Sequence, residues 1–555
     1  MRPSAWPRLG THQSSRGVFW LLFLGMIVAS GLMRVSMALQ PGIWGDEVFS
    51  IAMATGHSLE HPAALANHAL GDYVVPVHGQ PAAKWREYLR HESPPAAPGS
   101  VIRAVLLSDT NPPLYYLLLS RWMQAAGTSD AALRLFSVLA ALACFPLLWH
   151  VGQAIGGRPV AISACLLFAF APTAIFYSVE GRMYSLTWLL GLALAYISLR
   201  LHRDGARTPL IVLWALVGSS ALLTHYFLVF VWTACAAWLL LAPGRTGRAA
   251  TIVAVVLSMA MVVPWYIQTP ETLHQWRVTA GWLDIPLSMQ QALIAPARLV
   301  WSMIATSDLG YVWYPTSFRV WLVLVPICLA CLAALRPGTP SLFTDRQLLP
   351  WLWLAGVVFG LIVFDLLRGT SAAWVPRYAL TGVPAAFLVV AMLLSRLPRP
   401  AAGLLLLVVL VGWAPEIYRL ASQPPHPEYP LIAAYLDTHT TAEDLIIVRS
   451  IPSGVLAVTR YMKGDTPVAS WVEQLKGRSD IEDLDRITIG VCQILVISIH
   501  TVTNANTLEP WLHSNASLIA KENIPIEVHH FRRNPPFGLP EQRCPHLPPA
   551  SSNHG

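Results

Sequence analysis

The sequence predicts a polytopic α-helical membrane protein with an α/β domain at its C-terminal end. Three observations lead there. Hydrophobic residues make up 55% of the 555 and charged residues only 12%, about half the charged share of ordinary soluble domains. Apolar runs of bilayer length recur from Gly17 onward. After about Gln423 the composition turns polar.

The first sixteen residues, "MRPSAWPRLGTHQSSR", are basic and read as a cytoplasmic tail. The run from Gly17 to Leu39 is too long for the apolar core of a signal peptide and lacks a small-residue cleavage site, so a retained first span is expected. Further apolar segments begin near Ala131, Pro159, Met183, Pro209, Phe227, Ala249, Phe318, Leu349, Tyr378 and Ala401, which gives about eleven spans within residues 17–420. Arginines mark alternate connections: Arg2, Arg8 and Arg16, then Arg158, then Arg200, Arg203 and Arg207, then Arg245 and Arg248, Arg336 and Arg346, Arg396 and Arg399. By the positive-inside rule these connections are cytoplasmic. The alternation holds only if "PPLYYLLLSRWMQAAG", short and interrupted by Arg121, lies in the outer interface. The opposite face then receives a long first loop (40–130), "SVEGRMY", the stretch from about Gln268 to Thr316, "RGTSAAWVPRY", and everything after Arg419.

The proline-rich "QPPHPEYP" is a linker into a soluble region over 421–545. There "DLIIV" and "QILVISI" alternate with amphipathic stretches such as "EYPLIAAYLDTH", the pattern of a small parallel-sheet α/β domain. Residues 546–555 read as a disordered tail. No GxGxxG or GxxxxGK[ST] motif is present, so no nucleotide is assigned. Five cysteines (Cys144, Cys165, Cys235, Cys328, Cys331) fall in apolar runs, where a small buried hydrophobe is the default. Cys492 and Cys544 lie in the polar region and either pair or stay free. The net charge of +7 comes from scattered arginines, which excludes a nucleic-acid face. The two halves show no internal repeat, which counts against the commonest transporter architectures.

Five motifs fall on the outer face. "WGDEVFS" places Asp46 and Glu47 just after the first span, in apolar surroundings that favour a basic carboxylate. The plain alternative is a polar helix end. "SDTNPPLYYLLL" supplies Asp109 and Asn111 before a double proline, as helix cap or as acceptor or metal contacts. "FYSVEGRMYSL" confines Glu180, Arg182 and Tyr184 to a very short connection; "LLTHYFLVF" and "WVPRYALTGVP" add His225, Tyr226, Arg377 and Tyr378. Ionisable groups at a membrane boundary mark function by default. A carboxylate base, guanidinium forks for phosphate and aromatic walls suit a lipid-borne phosphate substrate.

In their order and common sidedness these motifs resemble the membrane glycosyltransferases of the GT-C superfamily. The likeness is to the bacterial branch related to dolichyl-phosphate-mannose protein mannosyltransferases and aminoarabinose transferases, over roughly Gly17 to Leu397. The resemblance implies a GT-C-like fold in a bacterial inner membrane, with the N-terminus cytoplasmic and the C-terminal domain periplasmic. It implies inverting transfer of a sugar from a polyprenyl-phosphate donor to a lipid, glycan or protein acceptor, with Asp46 as catalytic base and Glu47 beside it. Asp109, Asn111, Arg182, Tyr184, His225, Tyr226, Arg377 and Tyr378 then contact substrate. The family usually carries His-Pro-Pro where this chain has Asn111-Pro112-Pro113. That departure removes a metal ligand or proton carrier, leaving either a divalent ion with Glu180 as a ligand or no metal at all. The family's donor-binding lysine has no counterpart in a recognisable motif, although Lys84 lies in the same loop. Competing readings are transfer of a whole lipid-linked oligosaccharide, a transporter or flippase of lipid-linked sugars, and a non-catalytic envelope scaffold.

Overall fold

The computed structural model describes residues 11–60, 65–76, 78–108, 111–275, 283–305, 318–336, 341–424, 426–473, 480–499 and 507–534. Among them, seven helices are long and apolar enough to cross a membrane: Gly17–Ala38, Asp130–Phe170, Tyr184–Asp204, Arg248–Gln268, Leu348–Arg368, Pro376–Leu394 and Arg399–Ser422. Three further segments expected as spans form shorter apolar helices, Thr208–Leu222, Leu228–Leu241 and Phe318–Ala334. At 41 residues Asp130–Phe170 exceeds one bilayer crossing. It breaks at Gly157 (φ 77°), and Gly152 lies so close to Ala161 that only a hydrogen fits between them. The two arms correspond to the expected spans beginning near Ala131 and Pro159.

Proline interruptions free backbone carbonyls inside this apolar body, where water cannot serve them. The helical partner of the Phe168 carbonyl would be the N–H of residue 172, which is Pro172. Arg34 fills the gap, donating to the Phe168 carbonyl at 3.0 Å and the Ala169 carbonyl at 2.9 Å. Its Nε donates to Ser178, so this buried charge is spent on local structure. Likewise Pro384 cannot serve the Leu380 carbonyl, which accepts from the Trp188 indole at 2.7 Å; Trp353 serves Thr381 at 2.9 Å. These indoles fix the 3-10 turn Pro376–Gly382.

The expected interfacial segment is the 13-residue helix Leu114–Ala126, with Tyr115, Tyr116 and Leu119 buried and Arg121 exposed. Before it, the first loop folds into the helices Gly45–Ala54 and Pro98–Ser108 with short turns between. The expected outer stretch after Gln268 contains a 17-residue helix, Met289–Ala305.

The C-terminal region is α/β, as its pattern predicts, but the sheet is mixed. Strands β1 (Leu445–Arg449), β2 (Val468–Trp471) and β3 (Ile494–Ser498) are parallel, whereas β4 (Ala516–Ile524) and β5 (Ile526–Arg533) form an antiparallel hairpin, in the order β2-β1-β3-β5-β4. The chain reverses at Pro525 between the two strands of the hairpin. Cys492 is disulfide-bonded; the expected partner, Cys544, and the tail from 546 lie outside the described residues.

One face of this sheet is not free. Val455, Leu456, Ala457 and Val458 of the helix Pro452–Tyr461 share a single core with Val48, Ile51 and Ala52 of the first loop and Tyr116 of the interfacial helix. Trp85 donates to the Val468 carbonyl at 3.1 Å, and Arg86 to that of Met462 at 2.7 Å. Gln80 pairs with Val468 across the sheet edge.

Candidate functional site

Asp46 and Glu47 open the helix Gly45–Ala54, and that position sends them in opposite directions. Glu47 turns inward and is fully buried. Its carboxylate accepts from Arg134 Nε at 3.0 Å and Nη2 at 2.9 Å, from the Gly181 N–H at 2.8 Å, and from the Trp44 N–H at 3.3 Å. That is close to the full acceptor capacity of a carboxylate. Gly181 comes near enough because it has no side chain; a Cβ there would collide with Leu133. Arg134 also holds the carbonyls of Gln40 (2.9 Å) and Gly42.

Asp46 turns outward and is 30% exposed, with Arg377 Nη1 3.7 Å from its Oδ2. Arg377 lies over the rings of Trp44 (5.7 Å) and Tyr378 (5.6 Å), an arrangement that fits a planar guanidinium. The loop leading to it is set by Asp365, whose buried carboxylate accepts from the Ala372 N–H at 2.8 Å, the Ala373 N–H at 2.6 Å and the Thr370 hydroxyl at 2.6 Å. Behind Asp46, Arg182 donates to its backbone carbonyl (3.3 Å), to Ser50 (3.3 Å) and to Tyr116 (3.2 Å).

Glu180 is 4% exposed, and among the described residues neither carboxyl oxygen has a hydrogen-bond partner. Burial, helped by the negative charges of Glu47 and Asp46, pushes its carboxyl up to about 8, so it carries a proton at neutral pH. It shares a small cleft with Glu47, Arg134, Phe176, Val179 and His426. His426 comes from the linker; its ring stacks on Trp44 at 5.6 Å, and burial brings it down to about 4.

Around this centre, Tyr184 packs edge-on to Tyr177 (5.1 Å). His225 Nδ1 accepts from the Phe227 N–H at 3.1 Å, and Phe227 meets Tyr378 at 5.3 Å. Tyr226 meets Tyr266 at 5.8 Å. The Leu114 N–H bonds the Leu223 carbonyl, tying the turn after Asn111 to the His225 turn. Asp109 lies outside the described residues. Lys84 is exposed and pairs with Glu87 at 3.1 Å, at a distance from the other motifs in chain and partners. Asp46, Glu47, Glu180, Arg182 and Arg377 therefore come together, and His225, Tyr226 and Tyr378 form an aromatic edge beside them.

The donor set does not fit a divalent cation. Glu47 has its acceptor capacity filled by Arg134 and two backbone amides, and Arg134, Arg182 and Arg377 surround the carboxyl groups; among the described residues no group of three or more His, Cys, Asp or Glu could hold a metal.

Sequence reasoning missed Arg134, Asp130, His426 and Tyr461. Asp130 accepts from the Gly42 N–H (3.0 Å), Tyr461 (2.5 Å) and Arg460 (2.7 Å). The available signal was an arginine inside an apolar run, four residues after an aspartate and so on the same helix face.

A family model described as dolichyl-phosphate-mannose-protein mannosyltransferase matches residues 110–267. That stretch covers under a third of the chain and ends short of Asp46 on its N-terminal side. The chain superimposes on the crystal structure of ArnT from Cupriavidus metallidurans bound to undecaprenyl phosphate with a TM-score of 0.56 at 12% identity, covering 94% of this chain and 99% of that one. The apo state of ArnT from the same organism gives 0.53 at 12% identity, over 93% and 98%. Comparison with curated protein sequences gives no match. The fold is that of the GT-C membrane glycosyltransferases, ArnT-like from the first span through the C-terminal sheet, as the motifs led us to expect.

Proposed function

We propose that this chain is an inverting glycosyltransferase that moves a sugar from a polyprenyl-phosphate donor to an acceptor at the outer, periplasmic face of a bacterial inner membrane. The observation that carries the reading is the division of labour among three neighbouring carboxyl groups. Glu47 is locked by Arg134 and Gly181, Glu180 is neutral, and Asp46 alone of the three presents an accessible carboxylate, 3.7 Å from the Arg377 guanidinium. The fold likeness to a protein solved with undecaprenyl phosphate supports the donor class. The disulfide at Cys492 supports an oxidising compartment for the C-terminal domain.

The chemistry follows from that division. Glycosyl transfer passes through an oxocarbenium-like state, and a single displacement needs one base on the face opposite the leaving group. Asp46 takes the proton of the incoming hydroxyl or amine. The donor phosphate competes for Arg377, which changes partner and leaves the Asp46 carboxylate to the acceptor. Phosphate departs as a stable anion, its developing charge met by Arg377 with Arg182 behind. Glu47 is a positioning residue: it fixes the first helical turn through which Asp46 projects. The protonated Glu180 donates a hydrogen bond to a neutral group of substrate. Tyr184, Tyr378, Tyr226, His225 and Asn111 belong to the walls for sugar and acceptor. The acceptor is a lipid, a glycan or a protein.

The test is incubation of the purified protein with a panel of polyprenyl-phosphate sugars and envelope extract, read by mass spectrometry. Wild type should place sugar on an acceptor, and Asp46→Asn should lower turnover by at least about a hundredfold while donor binding stays nearly intact. Near wild-type turnover in Asp46→Asn removes Asp46 as base. Donor bound and never consumed by either protein points to the transporter or scaffold reading.

A further inference from the structure

The loop that delivers Asp46 is anchored from two sides, and one of those anchors comes from more than 300 residues away. The Tyr461 hydroxyl accepts from two successive backbone amides, Gly42 (3.1 Å) and Ile43 (2.8 Å), and donates to Asp130 Oδ2 at 2.5 Å. Arg460 donates to the other Asp130 oxygen at 2.7 Å and to the Thr128 carbonyl at 2.7 Å. The carbonyl edge of Gly42 is held by Arg134, the residue that locks Glu47. Its Cα is covered by the backbone of His426, which no side chain would clear, and the residue sits at φ 110°. The Gly42 peptide is thus gripped at its N–H, its carbonyl and its Cα, three of these grips traced to Arg134, Asp130 and the C-terminal domain.

Tyr461 uses all the hydrogen-bonding capacity of a phenol at this junction. Burial and the Asp130 charge raise its pKa, so the hydroxyl keeps the proton it donates. Removing only that oxygen would strand the Ile43 N–H in a buried position. Trp44 and Gly45 follow, then Asp46. A base must sit within a fraction of an ångström of its productive position, and small misplacements are costly in rate.

We propose that Tyr461, braced by Arg460 through Asp130, is a positioning residue for the transfer reaction, and that the C-terminal domain is thereby a working part of the site rather than an appendage. This rests on the function proposed above. The two can fail separately because the clasp has a readout that needs no turnover.

The experiment uses the full-length protein in lipid nanodiscs, comparing wild type, Tyr461→Phe, Asp130→Asn, and Trp85→Phe as a control that removes one bond of the same interface without touching Gly42. Hydrogen exchange is followed in peptides covering 40–50 and in β1 and β3, alongside kcat and donor KM. Tyr461→Phe should speed exchange at 40–50 by at least about tenfold while β1 and β3 keep wild-type protection. It should also lower kcat by at least about tenfold with donor KM within about twofold. Asp130→Asn should shift the same peptide, and Trp85→Phe should change neither exchange at 40–50 nor kcat. Unchanged exchange at 40–50 in Tyr461→Phe overturns the clasp, whether or not any donor is turned over. Faster exchange with wild-type kcat overturns the positioning role. A wild type that transfers no sugar defeats the proposed function and leaves the exchange result to decide the clasp.

Discussion

Replacing Arg134 with alanine should unfold the site before it alters the chemistry. Both partners of the pair are essentially out of water, at 1% and 0% exposure. Truncation leaves the Glu47 carboxylate with only the Gly181 and Trp44 amides, and releases the Gln40 and Gly42 carbonyls. Breaking a buried pair by removing one partner costs about 3–5 kcal/mol. Glu47→Gln keeps shape and one acceptor and should cost about 2 kcal/mol, the worth of charge-assisted bonds made neutral. The double replacement Glu47→Leu with Arg134→Met removes both charges. It should be less damaging than the sum of its singles, with a coupling of about 2–3 kcal/mol. The assay is denaturant unfolding of the full chain in detergent micelles, followed by tryptophan fluorescence. A loss below about 1 kcal/mol for Arg134→Ala, or additive singles, would falsify the view that Glu47 is a sequestered strut and would return it to the list of candidate bases.

Three further outcomes are expected. Glu180 holds its proton to about pH 8 in the folded chain and loses it near 4.5 when unfolded. The folded state therefore binds more protons across that window, and stability falls as pH rises through it, on the order of 1.4 kcal/mol per unit. Glu180→Gln should flatten that decline in thermal unfolding at pH 6 and 8; parallel curves for the two proteins refute it. Arg377→Lys keeps charge but loses the planar fork over Trp44, and should lower kcat/KM for a lipid-phosphate sugar by about tenfold, measured by initial rates across donor concentrations. A reporter that works only outside the cytoplasm, fused after Arg419, should be active; activity of a cytoplasmic reporter there would reverse the topology and with it the functional reading.

The helical membrane fold was legible because an apolar run of bilayer length is a property of a single segment. Asp46, Glu180, Arg182 and Arg377 were legible as neighbours the same way, each as a polar residue at the end of an apolar run, and the fold brings them together. What escaped was pairing. Glu47 and Asp46 look alike in "WGDE", and only Arg134, 87 residues on, separates the strut from the exposed carboxylate. Arg134 itself hides in "ALRLFSVLAAL", where hydropathy averages it away. The β4–β5 hairpin escaped because it is half exposed and leaves little apolar signal beside the buried parallel strands β1 and β3. The helices Thr208–Leu222 and Leu228–Leu241 fall short of span length because the turn between them takes up His225 and Tyr226.

The shared core beneath the first loop carries a consequence for biogenesis. The loop is made early on the ribosome, yet the core around Val48, Ile51 and Ala52 is completed only when Val455 to Val458 arrive some four hundred residues later. Until then the nascent chain exposes an apolar face outside the bilayer, the condition in which slow, non-local folding invites chaperones and proteases. A translation product cut short before Pro452 would keep every candidate span of the membrane body and leave the first-loop core without the part of its cover that the C-terminal domain brings.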